Sequence, residues 1–160
     1  MPNESRAGSD RLKKILGELS KKVTKVGWFP TDIYPPDAGR NRKGGTPVAQ
    51  VAFWLNGGTG NMPARPFFTE AYTLNQVAIR DLMVRLVKLC LAGGCTPDEA
   101  MRQVGLFLEG AVIRNIKSQK YEKLNEEYAK WKEKYHTSPQ MLIDTNLLWS
   151  SLKSVVETAK

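Results

Sequence analysis

Residues 69–117, TEAYTLNQVAIRDLMVRLVKLCLAGGCTPDEAMRQVGLFLEGAVIRNIK, decide the fold class. Ile79, Leu82, Met83, Leu86, Val87 and Cys90 recur at i, i+3, i+4, i+7, i+8 and i+11, while Arg80, Asp81, Arg85 and Lys88 fall opposite. That period is helical, and it predicts a helix over 69–91. Gly93 and Gly94 end it. Thr96-Pro97-Asp98-Glu99 then has the chemistry of a helix start: a capping hydroxyl, a proline at the first position and a glutamate at the third. The apolar stripe of this second helix, over 97–117, is Ala100, Val104, Phe107, Leu108, Ala111 and Val112. The short connection makes the pair an antiparallel helical hairpin.

Working outward, Asp10 can cap a helix reaching Lys21, with Leu12, Ile15, Leu16 and Leu19 on one face, after a polar stretch 1–9 expected to be mobile. VTKVGWF at 23–29 and PVAQVAFWL at 47–55 read as strands, and Leu152–Thr158 as a third. Between the first two lies a basic loop, 30–47, with four prolines and three glycines in 18 residues. Residues 118–135 read as a partly exposed helix with a stripe of Tyr121, Leu124, Tyr128, Trp131 and Tyr135, followed by a short helical turn over 146–150 that Asp144 or Thr145 could cap. The expected fold is therefore α+β: a single domain with a small, mainly antiparallel sheet of three or more strands, one face covered by the long helical hairpin.

Composition excludes much chemistry. The chain of 160 residues is 41% apolar, has one histidine (His136) and two cysteines (Cys90 and Cys95), and carries a formal charge of +8. No apolar run suffices for a bilayer crossing and no signal peptide opens the sequence, so a soluble protein of cytosolic origin with no membrane contact is expected. A lone histidine removes most triads, zinc sites and haem sites. Asp98, Glu99 and Asp144 are explained as helix-start residues. The GGTG at 57–60 lacks the Lys-Ser/Thr of a phosphate-binding loop. No catalytic residue, metal site or cofactor is expected, and the protein reads as a non-enzyme. The charge is uneven: residues 1–45 hold ten basic against five acidic side chains, and 101–120 hold four against one.

The order of motifs is more informative than any one of them. Lys25-Val26-Gly27, Val48-Ala49, Gly58-Thr59, Met62-Pro63-Ala64-Arg65-Pro66-Phe67 and Leu142-Ile143-Asp144-Thr145 follow one another at spacings that resemble a family of tailed bacteriophages. These are the small tail-completion, neck or minor tail proteins at the head-proximal end of the tail. The likeness spans about residues 23–159, including LNEEYAKWKEKY at 124–135. Two departures stand out. The Glu-aromatic pair that often precedes Gly-Thr is Asn56-Gly57, and the glycine after Asp-Thr is Asn146, the residue that next best tolerates positive φ.

The resemblance implies a structural virion protein, made in the bacterial host cytoplasm and assembled into the tail or neck. It would dock as a homo-oligomeric ring on the tail terminator or tube. Gly58, Thr59, Pro63, Ala64, Arg65, Pro66, Phe67, Asp144 and Thr145 carry the family motif. Candidate interface residues are Arg40, Arg42 and Lys43 on the basic loop, Arg65 and Phe67 on the stiff PARPF corner, and Tyr128, Trp131 and Tyr135 on the aromatic stripe. The basic loop could meet an acidic protein ring or DNA in the channel, in a sequence-independent and salt-sensitive way. Two rivals remain: a nonspecific DNA-binding module using that loop and Arg102, Arg114 and Lys117 of helix 97–117, and a small carboxylate-dependent hydrolase or nuclease.

Overall fold

The computed structural model describes residues 3–36, 44–60, 62–135, 140, 142 and 146–159. Its elements are α1 (Asn3–Leu19), β1 (Lys22–Gly27), α2 (Val48–Gly57), α3 (Phe67–Leu91), α4 (Pro97–Lys117), α5 (Glu126–Tyr135), α6 (Leu147–Ser150) and β2 (Lys153–Thr158). The expected sheet of three or more strands is not there: the described chain is mostly helical, and β1 and β2 form a two-stranded antiparallel sheet.

The correction falls on 47–55, expected as a strand and found as α2. Its apolar run is continuous, which a strand and a buried helix share. The deciding pattern is Val48, Val51, Ala52 and Leu55 at i, i+3, i+4 and i+7, with Val48 and Ala52 buried and Phe53 and Trp54 of the same run exposed. Pro47 sits at the cap and Gly58 closes the helix, its N–H bonded to the Trp54 carbonyl. α1 also begins earlier than expected, at Asn3, inside the stretch 1–9.

The chain divides by its internal contacts into two compact units, one of Met1–Val26, Asn75–Leu108 and Ser154–Lys160, the other of Gly27–Leu74 and Glu109–Lys153. In the first, Ile15 and Leu19 of α1 are buried with Leu86 and Cys90 of α3 and Ala100 of α4. Each large apolar side chain buried there contributes roughly 1.5–3 kcal/mol against the entropy of ordering it. α4 starts with the reciprocal capping box its sequence announces: the Glu99 N–H donates to Thr96 Oγ1 at 3.2 Å, and the Thr96 N–H to Glu99 Oε2 at 2.8 Å. The Thr96 N–H, with the Thr96 hydroxyl donating to the same oxygen at 3.0 Å, holds the Glu99 carboxyl below its usual range. At the α3–α4 corner the Cys90 and Cys95 sulfurs lie 2.8 Å apart as free thiols. Burial, with the neighbouring Cys95, pushes the Cys90 thiol up to about 11.

A two-stranded sheet is marginal alone. Here it is braced by α4, whose Met101 carbonyl accepts from Thr24 Oγ1 at 3.0 Å. Gly105 is where helix and sheet come closest. A Cβ there would lie 2.7 Å from Ser154 Cβ and 2.8 Å from Thr24 Cγ2.

In the second unit, Phe67, Val48, Val112 and Ile116 are the largest fully buried side chains. Trp28 meets Phe67 edge-on at 6.1 Å between ring centroids, and its indole N–H donates to the Leu148 carbonyl at 2.6 Å. Residues 118–125, expected as part of a helix, are not helical. Gln119 takes a positive φ of 53°. Its side chain and that of Ser118 donate to the Ile116 and Asn115 carbonyls, satisfying the open end of α4. α5 starts afresh, with Asn125 Oδ1 accepting from the Tyr128 N–H at 2.7 Å. α6 begins after Asn146, which adopts φ 60° as its residue type allows.

Two outcomes follow. Gly105→Val is expected to cost about 1–3 kcal/mol through overpacking and to lower Tm, with Gly105→Ala at the mild end of the same scale, read by thermal unfolding. The second concerns Glu70, whose carboxylate accepts from Lys120 Nζ at 2.6 Å and from Tyr121 Oη at 3.0 Å. The Lys120 bond leads in holding Glu70 below its ordinary value of 4.5. A depressed carboxyl stabilises the fold above its unfolded value and stops doing so as pH falls through the folded one. The wild-type Tm should therefore exceed that of Glu70→Gln at neutral pH, and the gap should close as the pH is taken down past about 4.5.

Candidate functional site

The PARPF segment is built as a rigid corner between α2 and α3. Gly58 turns the chain at φ 76°, and a Cβ on it would meet the Ala64 nitrogen at 2.8 Å and the Met62 carbonyl oxygen at 3.0 Å. Only glycine fits both the conformation and the space. Thr59 and Met62 then exchange backbone hydrogen bonds at 2.9 and 3.1 Å, and the Arg65 N–H returns to the Leu55 carbonyl at 2.9 Å. Pro63 and Pro66 fix their own φ angles within this closed turn.

Asn56 locks the corner to α3. Its Oδ1 accepts from the Phe68 N–H at 3.0 Å and the Thr69 N–H at 3.3 Å, and its Nδ2 donates to Thr69 Oγ1 at 2.8 Å. Pro66, next to the helix start, has no side chain able to cap, so the open N–H groups of α3 are satisfied from the end of the preceding helix. Asn115 Nδ2 adds a bond to the Phe67 carbonyl at 3.0 Å.

Beside the corner lies a cavity of about 600 Å³, half open to solvent. Its walls include Tyr34, Trp54, Leu55, Met62, Leu124, Tyr128 and Leu148, with Arg65, Lys123 and Lys132 as its cations and Glu122 as the one acidic residue among the described lining. Lys123 is exposed, whereas two of the cations are buried, Arg65 at 4% exposure and Lys132 at 3%. Lys132 Nζ donates to the Gln140 carbonyl. Arg65 is less well served: its Nε donates to the Glu122 carbonyl at 3.4 Å, its one hydrogen-bonded acceptor from the side chain among the described residues. Burial pulls the Arg65 guanidinium below its ordinary value, opposed by Glu122 and Tyr128.

The other expected site residues are distributed differently. Phe67, expected at an interface, is 0% exposed and belongs to the core, because its ring fills the space against Trp28. Tyr128 and Trp131 stack at 5.6 Å, with Tyr128 partly exposed. Arg40, Arg42, Lys43, Asp144 and Thr145, and the side chain of Tyr135, lie outside the described residues. The described ends of the basic loop are paired rather than loose: the Tyr34 N–H donates to the Thr46 carbonyl at 2.8 Å, and the Gly45 N–H to the Tyr34 carbonyl at 3.1 Å. On α4, Arg102 and Arg114 are separated by about 120° around the helix axis, since each residue turns it by about 100°. Lys117 stands over the Trp149 ring at 4.1 Å. Among the described residues no group of three or more His, Cys, Asp or Glu could hold a metal ion, and no helix is long and apolar enough to cross a membrane.

Sequence reasoning missed Asn56, Trp54, Tyr34 and Lys132. The Asn56 signal was present, an amide residue before a double glycine, but its capping target lies 12 residues on. Asn56→Ala should destabilise the protein by about 1 kcal/mol, the usual cost of losing a cap, while Asn56→Asp should retain most of it, as measured by denaturant unfolding. No protein-family model, no curated protein and no solved structure matches the chain.

Proposed function

We propose that this protein is a structural component of a tailed-phage or prophage virion, one that completes the head-proximal end of the tail by docking as a ring in the neck. The observation that carries this reading is the order of motifs, Lys25-Val26-Gly27, then Gly58-Thr59, then Met62-Pro63-Ala64-Arg65-Pro66-Phe67, then Leu142-Ile143-Asp144-Thr145. The corner formed by the middle two supports it. Backbone hydrogen bonds, two prolines and a tertiary cap hold that corner without help from a ligand, as a docking element needs if it is to avoid an ordering cost. A ring requires head-to-tail contacts between unlike surfaces of each subunit. The exposed aromatic edge at Tyr128 suits one such surface, and the basic segment 30–47, by its composition, suits the other. The loop suits contact with an acidic neighbour or with DNA in the channel.

The test is electron microscopy of phage particles produced with and without this chain. Tails that fail to join heads in its absence, and join when it is added back, are the expected result; normal joined particles without it would overturn the reading. In the same assay Arg42→Glu should leave Tm unchanged and reduce incorporation of the protein into tails.

A further inference from the structure

The cavity beside the PARPF corner is furnished for something the described residues do not supply. Removing a guanidinium from water is costly unless its N–H groups find acceptors. Arg65 is 4% exposed, has five N–H donors by its chemistry, and its side chain engages one acceptor among the described residues, the Glu122 backbone carbonyl at a long 3.4 Å. It lines the cavity together with the exposed Lys123 and with Lys132, whose Nζ already donates to the Gln140 carbonyl, against one acidic residue among the described lining, Glu122. Apart from Asn125 the rest of the described wall is aromatic and aliphatic. A planar, bidentate carboxylate is the group that satisfies a guanidinium best.

The rim narrows the identity further. Trp54 and Tyr128 line the cavity yet remain 40% and 39% exposed. These two rings carry the apolar lining out to an exposed rim. A small acid occupying the cavity would leave that rim bare, whereas a peptide segment would cover it on either side of the acidic residue.

We infer that this cavity receives an acidic peptide segment of a partner protein, an Asp or Glu side chain seated on Arg65 with apolar flanking residues on Trp54 and Tyr128. The inference rests on the docking reading for one thing only, that the occupant is a protein. Arg65 is then the specificity anchor, and the aromatics are the surface that excludes water around it.

The experiment titrates the full-length protein with the capped tripeptides acetyl-Leu-Glu-Leu-amide and acetyl-Leu-Gln-Leu-amide, followed by NMR of the Trp54 indole and the backbone amides. The glutamate peptide should bind at least about tenfold more tightly than its neutral isostere, as the loss of a charge-assisted bond implies, and should shift Trp54 and Tyr128. Equal affinity, or no binding by either, would overturn the assignment. So would 3-phenylpropionate binding as tightly as the glutamate peptide, because the occupant would then be a free acid. A variant separates recognition from structure. Arg65→Met, which removes the buried charge and keeps the stem, should abolish the preference for glutamate while Tm stays level or rises. A clear fall in Tm with the preference intact would make Arg65 a structural residue and sink the proposal. These readouts use isolated protein, so their failure leaves the tail-joining experiment standing, and the reverse also holds.

Discussion

The Asn56 side chain is the constraint on which the second unit depends. One amide ties the end of α2 to the start of α3, supplying the acceptor that Phe68 and Thr69 need and the donor that Thr69 Oγ1 accepts. With that join made, Phe67 enters the core at full burial against Trp28. Phe67 in place leaves the neighbouring Arg65 directed toward the cavity wall instead of toward water. The order of causes is thus cap, then core, then site. A polar bond near the surface fixes an apolar packing event, and the packing event fixes where a charge must lie.

The site inverts the usual accounting for a charged residue. Arginine flanked by prolines in a loop would ordinarily keep its guanidinium in solvent. Here the Arg65 backbone N–H is bonded to the Leu55 carbonyl while its side chain lies buried in the cavity wall. The fold tolerates this because the rest of the unit is well satisfied: Asn115, Gln119 and Asn125 each cover helix-terminal or corner groups that would otherwise be open. Local destabilisation is concentrated at one guanidinium, which is how binding sites are commonly built at the expense of stability.

Legibility in the sequence followed the range of the interaction. The α3–α4 hairpin was readable because its evidence is local: an apolar period over 79–90, and a Thr96–Glu99 box that the structure closes with reciprocal bonds. α2 was misread because residues 47–55 are apolar on nearly every position, and β-branched and aromatic types weighed toward a strand. The partition of that run into buried Val48 and Ala52 and exposed Phe53 and Trp54 is set by tertiary packing. Two of three expected strands are found, near the expected residues, and without the third the sheet shrinks to a ribbon. Of the site, the stiffness of PARPF was legible from its prolines. The burial of Arg65 was not, because the cavity is assembled from α2, the corner, residues 122–125 and α5, and no linear pattern announces such a meeting.

The strand pair has a consequence for how the protein is made. Lys25 of β1 and Glu157 of β2 are partners across 132 residues of sequence, and the Lys21 carbonyl waits for the Ala159 N–H. Closing so large a loop is entropically slow, and a ribosome releases β1 well before its partner strand. Until then β1 is a lone ribbon with both edges open and Val23 on its outer face, a template for the wrong partner in a crowded cell. The charges at Lys22 and Lys25 flank Val23 on either side and guard it during that wait.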